Sequence, residues 1–166
     1  MTMKLTILGS GTAIVTARRG PSGYLIKIAD KTLLLDSGSG TLRKIAEASS
    51  SFKEIDYAIY THLHPDHVTD LISLLFALRI PSNFKSKDLT VIGPAGMKEF
   101  HRNLAKVFND FIDPRGYELT INELSGGYLD LENFRLTSSL INHHEGSLAY
   151  RVKSKEGKRL VYSGDT

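Results

Sequence analysis

The run Thr61-His62-Leu63-His64-Pro65-Asp66-His67 constrains this chain more than any other segment. Three of the 6 histidines and one aspartate fall inside one hexapeptide. On one side lies an apolar stretch, Ile55–Tyr60, that reads as a buried strand; on the other, Val68, Leu71, Ile72, Leu75 and Phe76 repeat at helical spacing. A strand therefore hands over to a helix through a polar loop. The helix begins near Asp66, where a carboxylate suits the helix dipole. Residues two apart on an extended segment project the same way, so His62 and His64 can hold one metal ion together. Asp66 and His67, at the helix start, point back over the same spot, within reach of a second ion. Such a set of nitrogen and oxygen ligands suits paired divalent metals such as zinc. A single loop histidine is ordinarily just solvated, but a cluster of this density is a metal or catalytic site by default.

Composition narrows the rest. The chain has 166 residues, 41% hydrophobic and 23% charged, which is a globular balance and a length for one domain, residues 1–166. No stretch approaches the ~20 apolar residues that span a bilayer. The first residues, Met1 to Gly9, are too short and too soon interrupted by glycine for a signal peptide. The cysteine count is 0, which excludes disulfides, cysteine zinc fingers, iron–sulfur clusters and thiol nucleophiles. The cytoplasm is the expected compartment. A net charge of +3 is mild and spread along the chain, densest at Lys153, Lys155, Lys158 and Arg159. It lacks the clear basic stripe of a dedicated nucleic-acid binder, and it is compatible with a phosphate-bearing substrate.

The order of elements is strands first. Leu5–Leu8 ends at Gly9-Ser10-Gly11, and Tyr24–Ile28 and Thr32–Leu35 read as paired strands about a turn at Ala29-Asp30-Lys31. A helix carrying Leu42, Ile45 and Ala46 follows, then the Ile55–Tyr60 strand, the helix from Asp66, and a strand Leu89–Ile92. Met97, Phe100, Leu104, Val107, Phe108 and Phe111 predict a second amphipathic helix with its aromatics in the core, and His101 beside that apolar face is structural or exposed. Five further strands follow: Tyr117–Leu124, Tyr128–Leu131, Phe134–Leu140, Ser147–Lys153 and Arg159–Tyr162. The fold class is α/β.

At this point the chain resembles a known family. His62-x-His64-x-Asp66-His67 matches the H-x-H-x-D-H signature of the metallo-β-lactamase superfamily of hydrolases. Leu33-Leu34-Leu35-Asp36-Ser37-Gly38 is similar to its first motif, whose aspartate supports the metal loop. The stretch Asn142-His143-His144-Glu145-Gly146-Ser147 resembles the third, whose histidine binds the first metal. In the branch this chain resembles, that histidine sits seven residues before the tyrosine of the next strand, here Tyr150, so the resemblance implies His143 rather than His144. Tyr162-Ser163-Gly164-Asp165 looks like the fourth, whose aspartate bridges both metals. Leu8–Thr12, Arg18–Leu25 and Leu35–Thr41 resemble ribonuclease Z and its cyclic-phosphodiesterase cousins.

The resemblance implies an αββα sandwich. It implies a first metal on His62, His64 and His143, a second on Asp66, His67 and Asp165, and a hydroxide shared between them. Asp66 would orient that hydroxide or take its proton. Zn2+ is the expected metal, with Mn2+ or Fe served by the same ligands. The expected function is a phosphodiesterase acting on a small-molecule or short nucleotide phosphodiester. With only 21 residues between His143 and Asp165, there is no room for a long tRNA-gripping arm, so tRNA 3′ processing on the ribonuclease Z pattern is the alternative. A non-catalytic metal-binding module, or an RNA-binding fragment, is a further one. In the superfamily the last ligand, a histidine, follows the fourth motif. Its absence before Thr166 implies that the chain is about two-thirds of a domain, with the second site short of a ligand. The unpaired edge and uncovered sheet face that result imply self-association, most simply a homo-oligomer.

Overall fold

The computed structural model describes residues 3–81 and 87–166. Two sheets pack face to face. The first holds six strands in sequential order: β1 (Met3–Gly9), β2 (Gly23–Ile28), β3 (Lys31–Ser37), β4 (Tyr57–Ile59), β5 (Leu89–Pro94) and β6 (Leu119–Leu124). The second holds four, β7 (Gly127–Asp130), β8 (Phe134–Leu140), β9 (Leu148–Ser154) and β10 (Arg159–Tyr162), in the order β10-β9-β8-β7. β1, β2 and β3 pair antiparallel, β3 to β6 pair parallel, and the second sheet is antiparallel throughout.

The continuous Leu33-Leu34-Leu35 run shows why β3 lies at the centre. Alternate side chains leave a strand on opposite faces, and here both faces are covered. Leu34 joins Ala58, Val91 and the helices on the outer side, while Leu33 and Leu35 meet Phe134, Leu136, Tyr150 and Val152 of the second sheet. Each fully buried leucine stabilises the fold by ~1.5–3 kcal/mol.

The parallel strands need crossovers, and helices supply them: α1 (Thr41–Glu47), α2 (Pro65–Val68) running into α3 (Asp70–Leu78), and α4 (Met97–Phe108). All pack into the core cluster outside the first sheet. No side chain of α1 itself caps its N-terminus; instead Asp70 of α3 accepts the Leu42 N–H at 2.9 Å, tying the two helices together. Among the described residues no helix covers the outer face of the second sheet. The α-β-β order of the sandwich is thus present, with helices on one side. Among the described residues no helix is long and apolar enough to cross a membrane.

Three expectations shift in detail. On α3 the buried stripe is Leu71, Leu74, Leu75 and Leu78, and Phe76 points outward, because the face turned to the sheet is rotated from the periodicity read at Ile72 and Phe76. α4 stops at Phe108, where Asn109 takes a positive φ of 51° and a 3-10 turn follows. Val107, Phe108 and Phe111 are consequently exposed rather than filling the core, and Phe108 and Phe111 line a surface groove with Ile72 and Phe76.

Candidate metal centre

The site lies at the carboxyl ends of β3 and β4, where open α/β sheets place their ligands. Its geometry follows from local rules. A residue before proline is held extended, and His64, before Pro65, has φ −65° and ψ 144°. Pro65 then opens α2, its missing N–H being no loss at the first helical position. His62 and His64 therefore project together from an extended segment, and Asp66 and His67 follow on the first helical turn.

Three ring nitrogens converge. His62 Nε2 lies 3.0 Å from His64 Nδ1, and His143 Nε2 lies 3.3 Å from the same atom. Tetrahedral zinc with Zn–N bonds near 2.0–2.1 Å would separate its nitrogen ligands by ~3.3 Å. His143, from the loop between β8 and β9, is thus the histidine brought to the cluster. The His144 ring lies beside it, 5.3 Å from the His64 ring between centroids, but its Nδ1 is 3.1 Å from the Glu145 carbonyl and it joins neither ligand grouping. The second grouping comprises His62, His67 and Asp165. Asp165 spans the two, with Oδ1 3.3 Å from His67 Nε2 and Oδ2 3.9 Å from His143 Nε2. Asp66 Oδ2 stands 3.7 Å from His67 Nε2. All six residues singled out in the sequence meet at this point.

Beneath them Asp36 organises the loop. It is fully buried and accepts four hydrogen bonds: from the Thr61 N–H and Oγ1 at 2.8 Å each, from His67 Nδ1 at 2.7 Å, and from the Tyr162 hydroxyl at 2.6 Å. These hold Asp36 in a left-handed conformation (φ 51°), which costs a non-glycine residue ~1–2 kcal/mol. The network also assigns tautomers. His67 gives its Nδ1–H to Asp36, leaving Nε2 for the site. Because the Thr61 hydroxyl donates to Asp36, it accepts from His62 Nδ1 at 2.9 Å, which leaves His62 Nε2 as the free lone pair. Carboxylate–histidine pairs of this kind orient metal-binding imidazoles. The donor set and its proton pattern fit a divalent cation.

Electrostatics agree. Burial, reinforced by the neighbouring His67, pushes His62 down to about 4, so it is neutral at neutral pH. For His67 burial acts downward, but the Asp36 hydrogen bond and the charges of Asp36, Asp165 and Asp66 outweigh it and raise its pKa. Burial, then the Asp36 charge, raises the Tyr162 phenol, which remains a donor.

Two contacts fasten the second sheet to the site. Tyr150 donates its hydroxyl to the Tyr60 carbonyl at 2.9 Å, and the Leu148 N–H donates to the Thr61 carbonyl at 2.9 Å. The roles of Thr61, Tyr150 and Tyr162 were not anticipated. Their positions within or beside apolar strands read as packing, and nothing in the spacing reveals where a hydroxyl points.

Residues 3–166 match the family model described as anti-Pycsar protein Apyc1. The chain belongs to that family. This Apyc1-family chain is also 31% identical over 166 residues to the ribonuclease Z of Clostridium acetobutylicum, covering 95% of the chain and 52% of that protein. The crystal structure of human tRNase Z, short form, superposes with a TM-score of 0.83 at 21% identity, covering 99% of this chain and 69% of that one. The metallo-β-lactamase fold protein YhfI of Bacillus subtilis gives 0.80 at 25% identity, covering 99% and 63%. The Apyc1-family chain is therefore a ribonuclease Z-like member of the metallo-β-lactamase superfamily, as its motifs implied. It spans about half the length of the curated ribonuclease Z relatives it matches.

Proposed function

We propose that this protein is a metal-dependent hydrolase that cleaves phosphodiesters, with a small-molecule or short nucleotide substrate. The observation that carries this reading is the convergence of His62, His64 and His143 beside His67 and Asp165, with Asp36 fixing which nitrogens face inward. His62, His64 and His143 would hold one cation, and Asp66, His67 and Asp165 a second, zinc being favoured and manganese or iron fitting the same donors. Such ions supply Lewis acidity toward a phosphoryl oxygen and bring the pKa of water towards ~7. Asp66, in the first turn of α2, orients the attacking water and takes its proton. Asp165 holds the two ligand groups in register.

A second reading is ribonuclease Z-type cleavage at the tRNA 3′ end, favoured by the names of the relatives. Against it, the stretch between His143 and Asp165 is used by the β9–β10 hairpin rather than an extended arm. Hydrolysis of bis-p-nitrophenyl phosphate in Zn2+ or Mn2+ tests the hydrolase reading; no turnover by the metal-loaded protein overturns it in favour of a metal- or RNA-binding role. Cleavage of precursor tRNA favours the second reading. The protein is further proposed to be cytoplasmic and to self-associate, with Leu5 and Ile7 on the edge strand β1 exposed. Sedimentation showing only monomer across concentrations would argue against the latter.

A further inference from the structure

Asp165 is the most open of the carboxylates around His67. Its side chain is 43% exposed, against 15% for Asp66 and 0% for Asp36. Burial does not position a group so accessible to water. Its place depends on the backbone that carries it away from Tyr162 at the end of β10.

That backbone is seated at two points. The Tyr162 hydroxyl donates to Asp36 at 2.6 Å. The other seat is Gly164, directly before Asp165, with a positive φ of 65° that glycine adopts without steric cost. A Cβ on Gly164 would stand 2.9 Å from each of Thr61 Cβ, Cγ2 and Oγ1. The bare backbone of Gly164 thus rests on the Thr61 side chain with no room for a methyl group between them.

Thr61 is not free to turn aside. It is fully buried, and its hydroxyl donates to Asp36 at 2.8 Å while accepting from His62 Nδ1 at 2.9 Å. Its N–H donates to Asp36 and its carbonyl accepts from Leu148. A branched side chain has few χ1 wells, and any other well would break the hydroxyl's two bonds. The two branches therefore have different duties. Oγ1 serves the His62 ring, and the methyl completes the floor beneath Gly164.

We propose that Thr61 is a positioning residue for Asp165 as well as for His62, so that a single side chain keeps the two ligand groups in register. His62 belongs to both groupings and Asp165 to the second. Movement at Gly164 presses on Thr61 and reaches His62, and loss of the Thr61 methyl loosens Asp165. This rests on the metal centre of the hydrolase reading and adds how its two halves are joined.

Substitution separates the branches. Thr61→Val keeps the shape and removes the hydroxyl, whereas Thr61→Ser keeps the hydroxyl and removes the methyl. In metal-free protein carrying 15N-histidine, two-bond proton–nitrogen NMR correlations at neutral pH report which ring nitrogen is protonated. His62 should be protonated on Nδ1 in the wild type and in Thr61→Ser, and should shift toward Nε2 in Thr61→Val. Calorimetric zinc titration reads the Gly164 seat. Gly164→Ala should weaken zinc binding ~10- to 100-fold, as for other supports of metal ligands. In a Thr61→Ser background the same substitution should cost about threefold less, because serine vacates space that the new methyl needs. The strain of alanine at positive φ is common to both backgrounds and cancels. If Thr61→Val misfolds, the serine pair carries the test alone. An unshifted His62 in Thr61→Val, or equal losses from Gly164→Ala in both backgrounds, overturns the proposal. The expected NMR and zinc results in a protein that turns over no phosphodiester uphold the role of Thr61 and refute the hydrolase reading instead.

Discussion

His67 donates its Nδ1–H to Asp36 at 2.7 Å inside a pocket where both side chains are almost wholly buried. Asp36 thereby decides which nitrogen of His67 faces the site, and through Thr61 it does the same for His62. Asp36→Ala should leave the Thr61 and Tyr162 donors buried without an acceptor, at ~1–3 kcal/mol for each unsatisfied group. Metal affinity should fall 10- to 100-fold, as for other groups that orient metal-binding histidines. Calorimetric zinc titration and urea unfolding read the two effects. Wild-type metal affinity in Asp36→Ala would remove Asp36 from this role.

Gly38 is a steric requirement. A Cβ there would stand 2.0 Å from the Asp66 carbonyl oxygen and 2.3 Å from Pro21 Cβ, and neither backbone nor ring can yield cheaply. Gly38→Ala should cost ~1–3 kcal/mol through overpacking and displace Asp66. The urea midpoint should drop together with the rate on bis-p-nitrophenyl phosphate.

His143 and His144 are neighbours with different surroundings. His143 brings its Nε2 to 3.3 Å from His64 Nδ1, whereas His144 meets His64 only ring to ring, at 5.3 Å between centroids. His143→Ala and His64→Ala should each lower the zinc bound per chain, measured by elemental analysis after dialysis, whereas His144→Ala should retain it. The reverse ranking would reassign the ligand.

His101 on α4 has its Nε2 buried with no hydrogen-bond partner among the described residues, and burial holds its pKa below the ordinary histidine value, against a weaker opposing pull from Asp113. With the folded pKa lowered, the unfolded chain takes up the proton first as pH falls. The stability linked to neutral His101 is therefore complete above the unfolded pKa of ~6.5 and is lost below it, as pH falls towards and through the lowered folded value. The slope for one proton cannot exceed ~1.4 kcal/mol per pH unit. His101→Leu should flatten the fall in stability between neutral and mildly acidic pH, read from urea melts at a series of pH values. Parallel curves for the two proteins would contradict it. The buried His62 acts in the same direction in both proteins and cancels in the comparison.

Much of this was legible in the chain. The Leu33–Leu35 run announced a strand buried on both faces, the Thr61–His67 segment announced a strand-to-helix junction whose histidines converge, and Pro65 fixed its backbone. The aromatic end of α4 misled, because helical spacing says which residues share a face but not whether anything covers it. Phe108 and Phe111 share their face with solvent.

What the sequence determined by itself is therefore local: which residues can bind a cation, and how proline and strand period aim His62 and His64. Only the tertiary structure decided the rest. His143 and Asp165 lie far along the chain from His64 and His67, which they respectively reach as the Tyr150–Tyr60 and Leu148–Thr61 bonds dock the second sheet at the end of β4. The proton pattern of the histidines was likewise set at long range, by a carboxylate on β3 and a phenol on β10 that share no local signal. Backbone preferences act over a few residues, whereas a tautomer or a bridging carboxylate depends on where packing brings distant strands together.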